Sequence, residues 1–212
     1  MGRIYDATWG RAFSAFYDSL LKGTEEAGLR DRRREVLAAA KGKTIDIGAG
    51  TGANLSLFPD GVDVVMAEPD PHMLKRLRRK VAESGANIEL VEAGAEQLPF
   101  EDDSFDTAVF TLVLCTVPNP KAALAEAARV LKPGGQLLFV EHVRSPDERL
   151  ARWQDRLETP WRLFGDGCHC NRDTVAAIDA SPLSLDRVER GELPKSPPLT
   201  RPLASGSATL SA

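Results

Sequence analysis

Apolar positions along the chain follow two rhythms. From residue 3 to about residue 40 they recur at three-to-four spacing, with Phe13, Phe16, Tyr17, Leu20 and Leu21 on one face, which predicts helix. Gly23 and Gly28 divide this stretch into two helices, the second ending near Lys41-Gly42, where a cation followed by glycine is a stop signal. Short β-branched and apolar runs then take over, predicting strands at 44–47, 63–68, 88–92, 105–114 and 136–141. A short helix ending before Pro59 follows the first strand. A helix over 71–83 has Asp70 as its N-cap. A helix over 120–130 precedes a Pro133-Gly134-Gly135 turn. Such alternation implies a parallel sheet with helices on both faces.

The rhythm breaks at 144–172, which carries Trp153, Trp161, Phe164 and the run Gly165-Asp166-Gly167-Cys168-His169-Cys170. A helix over 173–180 restores it. Beyond that the pattern weakens to two strands, about 185–191 and 203–210, joined through Pro194, Pro197 and Pro198. The polar tail after Ala204 makes the last strand weak. There is no internal repeat and no linker, so 212 residues are read as one α/β domain.

Charge narrows the partners. The net charge is −4, which argues against nucleic acid. Two basic runs, Arg30, Arg32, Arg33 and Arg34, then Lys75, Arg76, Arg78, Arg79 and Lys80, fall on predicted helices and are expected to be solvated faces. No apolar run reaches the ~18–20 residues of a membrane span, and no signal-peptide core is present. Cys115, Cys168 and Cys170 do not make a disulfide framework. A cytoplasmic, reduced protein is expected.

The most informative stretch is Thr44-Ile45-Asp46-Ile47-Gly48-Ala49-Gly50-Thr51-Gly52. A strand runs into three glycines at alternate positions, the kind of turn that lets a ligand approach the backbone. A dinucleotide fingerprint wants G-x-G-x-x-G; here the spacing is G-x-G-x-G with an acid before it. This resembles motif I of the class I S-adenosylmethionine (SAM) methyltransferases. An acid beside the turn suits the ammonium of SAM. Glu68 ends the second strand, 22 residues after Asp46, where an acid accepts from ribose hydroxyls.

The resemblance extends further. Leu98-Pro99-Phe100, Asp103-Ser104-Phe105-Asp106 and Arg129-Val130-Leu131-Lys132-Pro133-Gly134-Gly135 are similar to the methyltransferase type 11 group. Thr111-Leu112-Val113-Leu114-Cys115-Thr116-Val117, Glu141-His142-Val143, Trp153-Gln154 with Pro160-Trp161, and Asp166-Gly167-Cys168 with Asn171-Arg172 resemble the methyltransferase-like-7 proteins. Those are alkyl-thiol S-methyltransferases of animals, with bacterial relatives. The resemblance implies a Rossmann-like, mostly parallel seven-stranded sheet with an antiparallel last strand and N-terminal helices as a lid. It divides the single domain 1–212 into a lid (1–40), a SAM-binding core (41–143), a substrate-side insertion (144–172) and a C-terminal helix and hairpin (173–212). It implies a cofactor site made by Asp46, Gly48, Ala49, Gly50, Asn54, Glu68, Pro69, Met73, Ala95, Glu96, Thr111 and Leu112, the last two near the sulfonium. Three departures stand out. The animal proteins carry an N-terminal membrane segment of a kind this sequence lacks. Gly94 stands where many type 11 enzymes have an Asp for the adenine, so that contact is expected from Glu96 or the backbone. Leu203 stands where a His is expected in relatives.

Methyl transfer from a sulfonium requires positioning of the nucleophile and exclusion of water. A thiol acceptor, with pKa ~8.5, needs only modest help from a base. His142, just past the fifth strand and beside Glu141, is the candidate base; otherwise it orients a loop at a strand end. His169 and Asp166 either face the acceptor or belong to a turn with Gly165 and Gly167. Cys115 lines the strand end. Tyr5, Trp9, Trp161 and Phe164 are candidates to roof an apolar pocket. Cys168-His169-Cys170 has the look of a soft-metal clip, but a structural zinc site wants four ligands, so no metal is expected. The expected activity is SAM-dependent methylation of a small, apolar acceptor, a thiol by resemblance. The alternatives are O-, N- or C-methylation of a lipid, quinone or natural product, arsenite methylation, and SAM binding without catalysis.

Overall fold

A computed structural model describes residues 18–19, 21–165 and 167–211 of the protein. Tyr5, Trp9, Phe13, Phe16, Tyr17, Leu20 and Asp166 lie outside the described residues. Among the described residues seven strands form one sheet: β1 (Lys43–Ile47), β2 (Asp63–Ala67), β3 (Glu89–Val91), β4 (Phe105–Thr111), β5 (Leu131–His142), β6 (Leu183–Glu192) and β7 (Pro202–Leu210). Their spatial order is β3-β2-β1-β4-β5-β7-β6. All neighbouring pairs from β3 to β5 are parallel, and β7 runs antiparallel between β5 and β6. The chain direction across the sheet reverses between β1 and β4, and in open α/β sheets that point opens a ligand crevice at the strands' carboxyl ends.

The helices are α1 (Arg30–Leu37), entered through a π-helical turn at Glu25–Leu29, α2 (Pro71–Ser84), α3 (Pro120–Val130), α4 (Glu148–Phe164) and α5 (Thr174–Asp179). Asp70 caps α2 by accepting from the amides of His72 and Met73 at 2.7 and 2.8 Å, and Gly85 closes it in the left-handed conformation. Met73, Leu74, Leu77 and Val81 form its buried stripe. The main core lies over β1, β4 and β5, where Phe105, Phe110 and Phe139 are fully buried.

Several elements depart from the pattern-based expectation. Residues 51–58 form successive turns rather than a helix. β4 stops at Thr111, not 114, because Leu112 takes φ +59°, a conformation no strand tolerates. The Pro133-Gly134-Gly135 turn is a bulge inside β5: Phe105 pairs with Leu131, yet Thr107 pairs with Gln136. α1 stops at Leu37, short of Gly42, while the break expected at Gly28 is real (φ +138°). The C-terminal pair is not weak. β7 pairs with β5 from Gln136–Thr209 to His142–Leu203, and with β6 from Leu183–Leu210 to Glu192–Pro202. Its small residues let two neighbours close in: a Cβ on Gly206 would sit 1.9 Å from the Arg187 carbonyl.

The 144–172 segment, irregular in pattern, is dominated by the 17-residue α4. Gln154 locks it to the core. Its side chain is fully buried; Oε1 accepts from Ser145 N (2.8 Å), and Nε2 donates to the carbonyls of Cys170 (2.8 Å), Leu199 (2.8 Å) and Val143 (3.3 Å). Gln154→Ala is expected to cost about 3 kcal/mol, because it strands a buried amide and carbonyls. That corresponds to a thermal midpoint lowered by roughly 8 °C. A shift under about 1 °C in a thermal melt would mean the clamp is dispensable.

Candidate active site

The glycine turn sits at the carboxyl end of β1. Gly48 (φ +73°) is pressed against the core: a Cβ there would lie 2.7 Å from a Val113 methyl. Gly50 (φ +57°) is the opposite case, with nothing within 4 Å of where its Cβ would be. The turn therefore presents bare backbone to open space at its middle glycine. Glu68, just past β2, holds that backbone in place. Its Oε2 accepts from Gly50 N and its Oε1 from Asp70 N, both at 2.8 Å. Each carboxylate oxygen still has an acceptor site to offer a ligand hydroxyl. Burial pushes the Glu68 pKa up, against the pull of these two amides.

Under the turn lies a buried polar chain. Asn54 Nδ2 donates to both oxygens of Asp46 (3.1 and 3.0 Å) and to Thr111 Oγ1 (2.9 Å), while its Oδ1 accepts from Arg33 Nη1 at 3.1 Å. Arg33 also pairs with Glu25 at 3.2 Å. Asp46 is 0% exposed. Burial raises its pKa to about 7, opposed by the Asn54 hydrogen bond and Arg33 and reinforced by Glu68. The expectation of a solvated basic face holds for Lys75, Arg78 and Arg79, which are exposed, and fails for Arg33, which is 2% exposed. Arg33 shares a helix face with Leu29 and Leu37, both buried. The four-residue spacing 29–33–37 is the signal that could have marked it. Asp18 joins the same neighbourhood, accepting from Thr51 Oγ1 at 2.5 Å.

The loop after β3 is pinned from α3. Leu98 N donates to Glu126, and Arg129 reaches the carbonyls of Leu98 and Phe100 as well as Asp102 and Glu126. Glu96 Oε1 accepts from Asn119 N at 3.1 Å. Its other oxygen lies 3.7 Å from where a Gly94 Cβ would stand. Ala95 is buried, Met73 is buried in the first turn of α2, and Pro69 is exposed. Asp106, in contrast, works at the amino ends of the strands, accepting from Lys43 N and Lys132 Nζ at 2.8 Å.

A second group forms beyond β4 and β5. Leu112 reverses the chain in the left-handed region, and the next two amides, Val113 and Leu114, donate to Glu141 Oε1 at 2.8 and 3.1 Å. Glu141 is fully buried; an acid directly after the apolar run Leu137–Val140 needs such partners. His142 is also buried, and its Nε2 lies 2.9 Å from Cys168 Sγ. Burial opposes the imidazolium, but Cys115 and Glu141 outweigh it and the pKa rises above 6.5. The Cys115 thiol is pushed well above 9.0, by its hydrogen bond with Cys168 and then by burial. Trp161 Nε1 donates to Cys168 Sγ at 3.3 Å. Arg172, of the Asn171-Arg172 pair, staples this corner through the carbonyls of Leu114 (2.7 Å) and Val117 (2.6 Å).

Of the expected acceptor-side residues, His142, Cys115 and Trp161 thus come together around Cys168. His169 does not join them: its Nδ1 pairs with Glu158 at 2.7 Å. Nor does Cys168-His169-Cys170 act as one clip, since Cys170 Sγ turns to the Gln154 carbonyl.

This sheet order, with a glycine turn and acids at the ends of β1 and β2, defines a class I SAM-dependent methyltransferase. Residues 45–139 match the family described as Methyltransferase domain, and the chain belongs to the SAM-dependent methyltransferases. Thiol S-methyltransferase TMT1B of Homo sapiens is 33% identical over 85% of this chain and 79% of its own length. Phosphatidylethanolamine N-methyltransferase of Cereibacter sphaeroides is 32% identical over 68% and 74%. Among solved structures, a SAM-dependent methyltransferase of Thermotoga maritima, described as a possible histamine N-methyltransferase, superposes with a TM-score of 0.70. It has 20% identity and coverage of 95% and 97%. SAM is the cofactor. Among the described residues no helix is long and apolar enough to cross a membrane.

Proposed function

We propose that the protein is a thiol S-methyltransferase acting on a small apolar thiol. The observation that carries the reading is the group at the ends of β4 and β5, where a buried imidazole, His142, lies 2.9 Å from a half-buried sulfur under an indole. A thiol acceptor asks for little more than an apolar seat and one polar group at its sulfur. The likeness to TMT1B supports the same reading.

When bound, SAM supplies an activated methyl group. In this reading Gly50 gives its backbone room, Glu68 accepts from the ribose, and Glu96 takes the adenine corner left by Gly94. The Asp46–Asn54 pair faces the ammonium. His142 assists loss of the acceptor's proton. The test is release of S-adenosylhomocysteine with a panel of alkyl thiols, phenols, amines, arsenite and phosphatidylethanolamine vesicles. Turnover led by alkyl thiols is expected. Turnover of the phospholipid with none of the thiols would reverse the assignment.

An ammonium beside Asp46 favours its ionised form, so SAM binding is linked to pH. The carboxyl pKa is raised to about 7 in the protein without SAM, and protonation must be undone before SAM is held well. Affinity is expected to fall about fivefold between pH 7 and pH 6, with proton release seen by calorimetry in buffers of different ionisation enthalpy. For the SAM-free fold the sign is reversed: a carboxyl pKa raised in the folded state favours folding at low pH, and this contribution is lost as pH rises through about 7. A flat SAM affinity from pH 6 to 7 would remove Asp46 from the ammonium site.

Residues 1–22 and 150–172 are proposed to form the acceptor's lid. The contacts of Asp18 with Thr51 and of Trp161 with Cys168 support this. Deletion of residues 1–22 is expected to lower turnover of apolar thiols; unchanged turnover in a folded variant would count against the lid.

A further inference from the structure

Cys115, His142 and Cys168 come from three separate segments: the turn after β4, the end of β5, and the loop after α4. Their ligand atoms all lie within 4.8 Å of one another, with Cys115 and His142 buried and Cys168 half-buried. Two thiols and an imidazole make a borderline-soft donor set. Tetrahedral zinc, with bonds of ~2.3 Å to sulfur and ~2.0 Å to nitrogen, needs its ligand atoms about 3.4–3.8 Å apart. The 2.9 Å between His142 Nε2 and Cys168 Sγ would have to open by under about 1 Å to reach that spacing.

Without an ion this group is poorly satisfied. His142 Nε2, the ring nitrogen that faces the group, meets only sulfur, a weak partner. Buried imidazoles are ordinarily better provided for. Among the described residues this trio is the one His/Cys/Asp/Glu group with metal-ligand geometry. A closed structural zinc site takes four protein ligands, whereas three leave a position for a substrate.

We propose that Cys115, His142 and Cys168 bind a zinc ion whose fourth position receives the acceptor thiol. The proposal rests on the thiol reading above and specifies how His142 serves it, as a ligand rather than a free base. A thiol that coordinates zinc gives up its proton, here to solvent. The acceptor sulfur then forms a bond to the methyl carbon while the carbon–sulfonium bond breaks. That electron pair stays on the sulfur of S-adenosylhomocysteine. The thioether product is neutral, a weaker ligand than the thiolate, and leaves. Two cysteine thiolates balance the ion, so the bound acceptor carries one negative charge opposite the positive sulfonium. Cys168 is the half-buried member of the trio, and the Trp161 N–H already points at its sulfur, the kind of outer partner that steadies a ligand.

The test uses the full chain, expressed with added zinc and dialysed against zinc-free buffer. Elemental analysis is expected to return about one zinc per chain. Cys115→Ser and Cys168→Ser are expected to lower it at least about fivefold, with SAM titration as the control for folding, while Cys170→Ser keeps it. Cobalt(II) in place of zinc is expected to show thiolate charge-transfer bands and intense tetrahedral d–d bands in the unmutated chain. Those d–d bands should shift on adding hexanethiol and not hexanol. Less than about 0.1 zinc per chain with no cobalt spectrum overturns the site, as does zinc retained by both cysteine variants. A cobalt spectrum indifferent to hexanethiol overturns the open position. Thiol methylation that persists in metal-free protein ends the zinc proposal and leaves the thiol reading standing. A zinc-loaded enzyme that methylates no thiol ends both the acceptor role and the thiol reading.

Discussion

Gly50→Ala is expected to weaken SAM binding about 100-fold, the equivalent of ~2.8 kcal/mol, in a protein that still folds. The added methyl meets no heavy atom within 4 Å beyond its chain neighbours, so it enters open space that the proposed binding mode gives to the cofactor. Its cost to the fold is the left-handed backbone at φ +57°, about 1 kcal/mol for a non-glycine residue. Gly48→Ala is the contrasting variant. Its methyl would meet Val113 at 2.7 Å and damage packing before binding. Calorimetric titration beside a thermal melt distinguishes the two. A Gly50→Ala protein that binds SAM as well as the parent would mean that the cofactor does not lie against this turn.

The second large effect is expected at His142. His142→Ala should reduce turnover of alkyl thiols by roughly 10²–10³-fold, within the range of a group that helps the acceptor lose its proton, whether as base or as ligand, with SAM affinity near that of the parent. The side chain lies beyond β5 against Cys168, whereas the turn and Glu68 meet at the ends of β1 and β2. Steady-state rates with separately measured SAM affinity decide the matter. A loss of SAM affinity as large as the loss of turnover would make His142 a structural residue. Because two of its neighbours are sulfurs, His142→Cys is a useful companion variant: it keeps a soft donor and should recover part of the rate if ligation is what His142 does.

β1 and β2 were legible because each is a short apolar run soon followed by a glycine, Gly48, or an N-cap, Asp70, and those signals are local. The grouping of Asp46, the glycines and Glu68 was legible for the same reason: they lie in or just after β1 and β2 at fixed spacing. What escaped the pattern depends on partners distant in sequence. Arg33 looks like one more surface cation until Asn54, 21 residues on, is placed against it. Glu141 reads as an acid beside a histidine, yet its work is to hold the amides of Val113 and Leu114. The cysteine trio was hidden by proximity in the chain, since Cys168-His169-Cys170 draws the eye while the folded group takes only Cys168 from it. The polar tail misled in another way. Ser205, Gly206 and Ser207 are poor strand formers in isolation, but they are small enough for β7 to fit between two strands, and context overrides propensity there.

The position of β7 bears on how the protein is made. Residues 202–210 fill the gap between β5 and β6, so while the chain is still emerging from the ribosome the outer edge of β5 has no permanent neighbour. At ~5–20 residues per second, the roughly 60 residues between β5 and β7 leave that edge bare for about 3–12 seconds. An unpaired, apolar strand edge is a template for wrong pairing. Chaperone dependence during synthesis, and aggregation of any product that stops before residue 202, are the expected outcomes of this single placement.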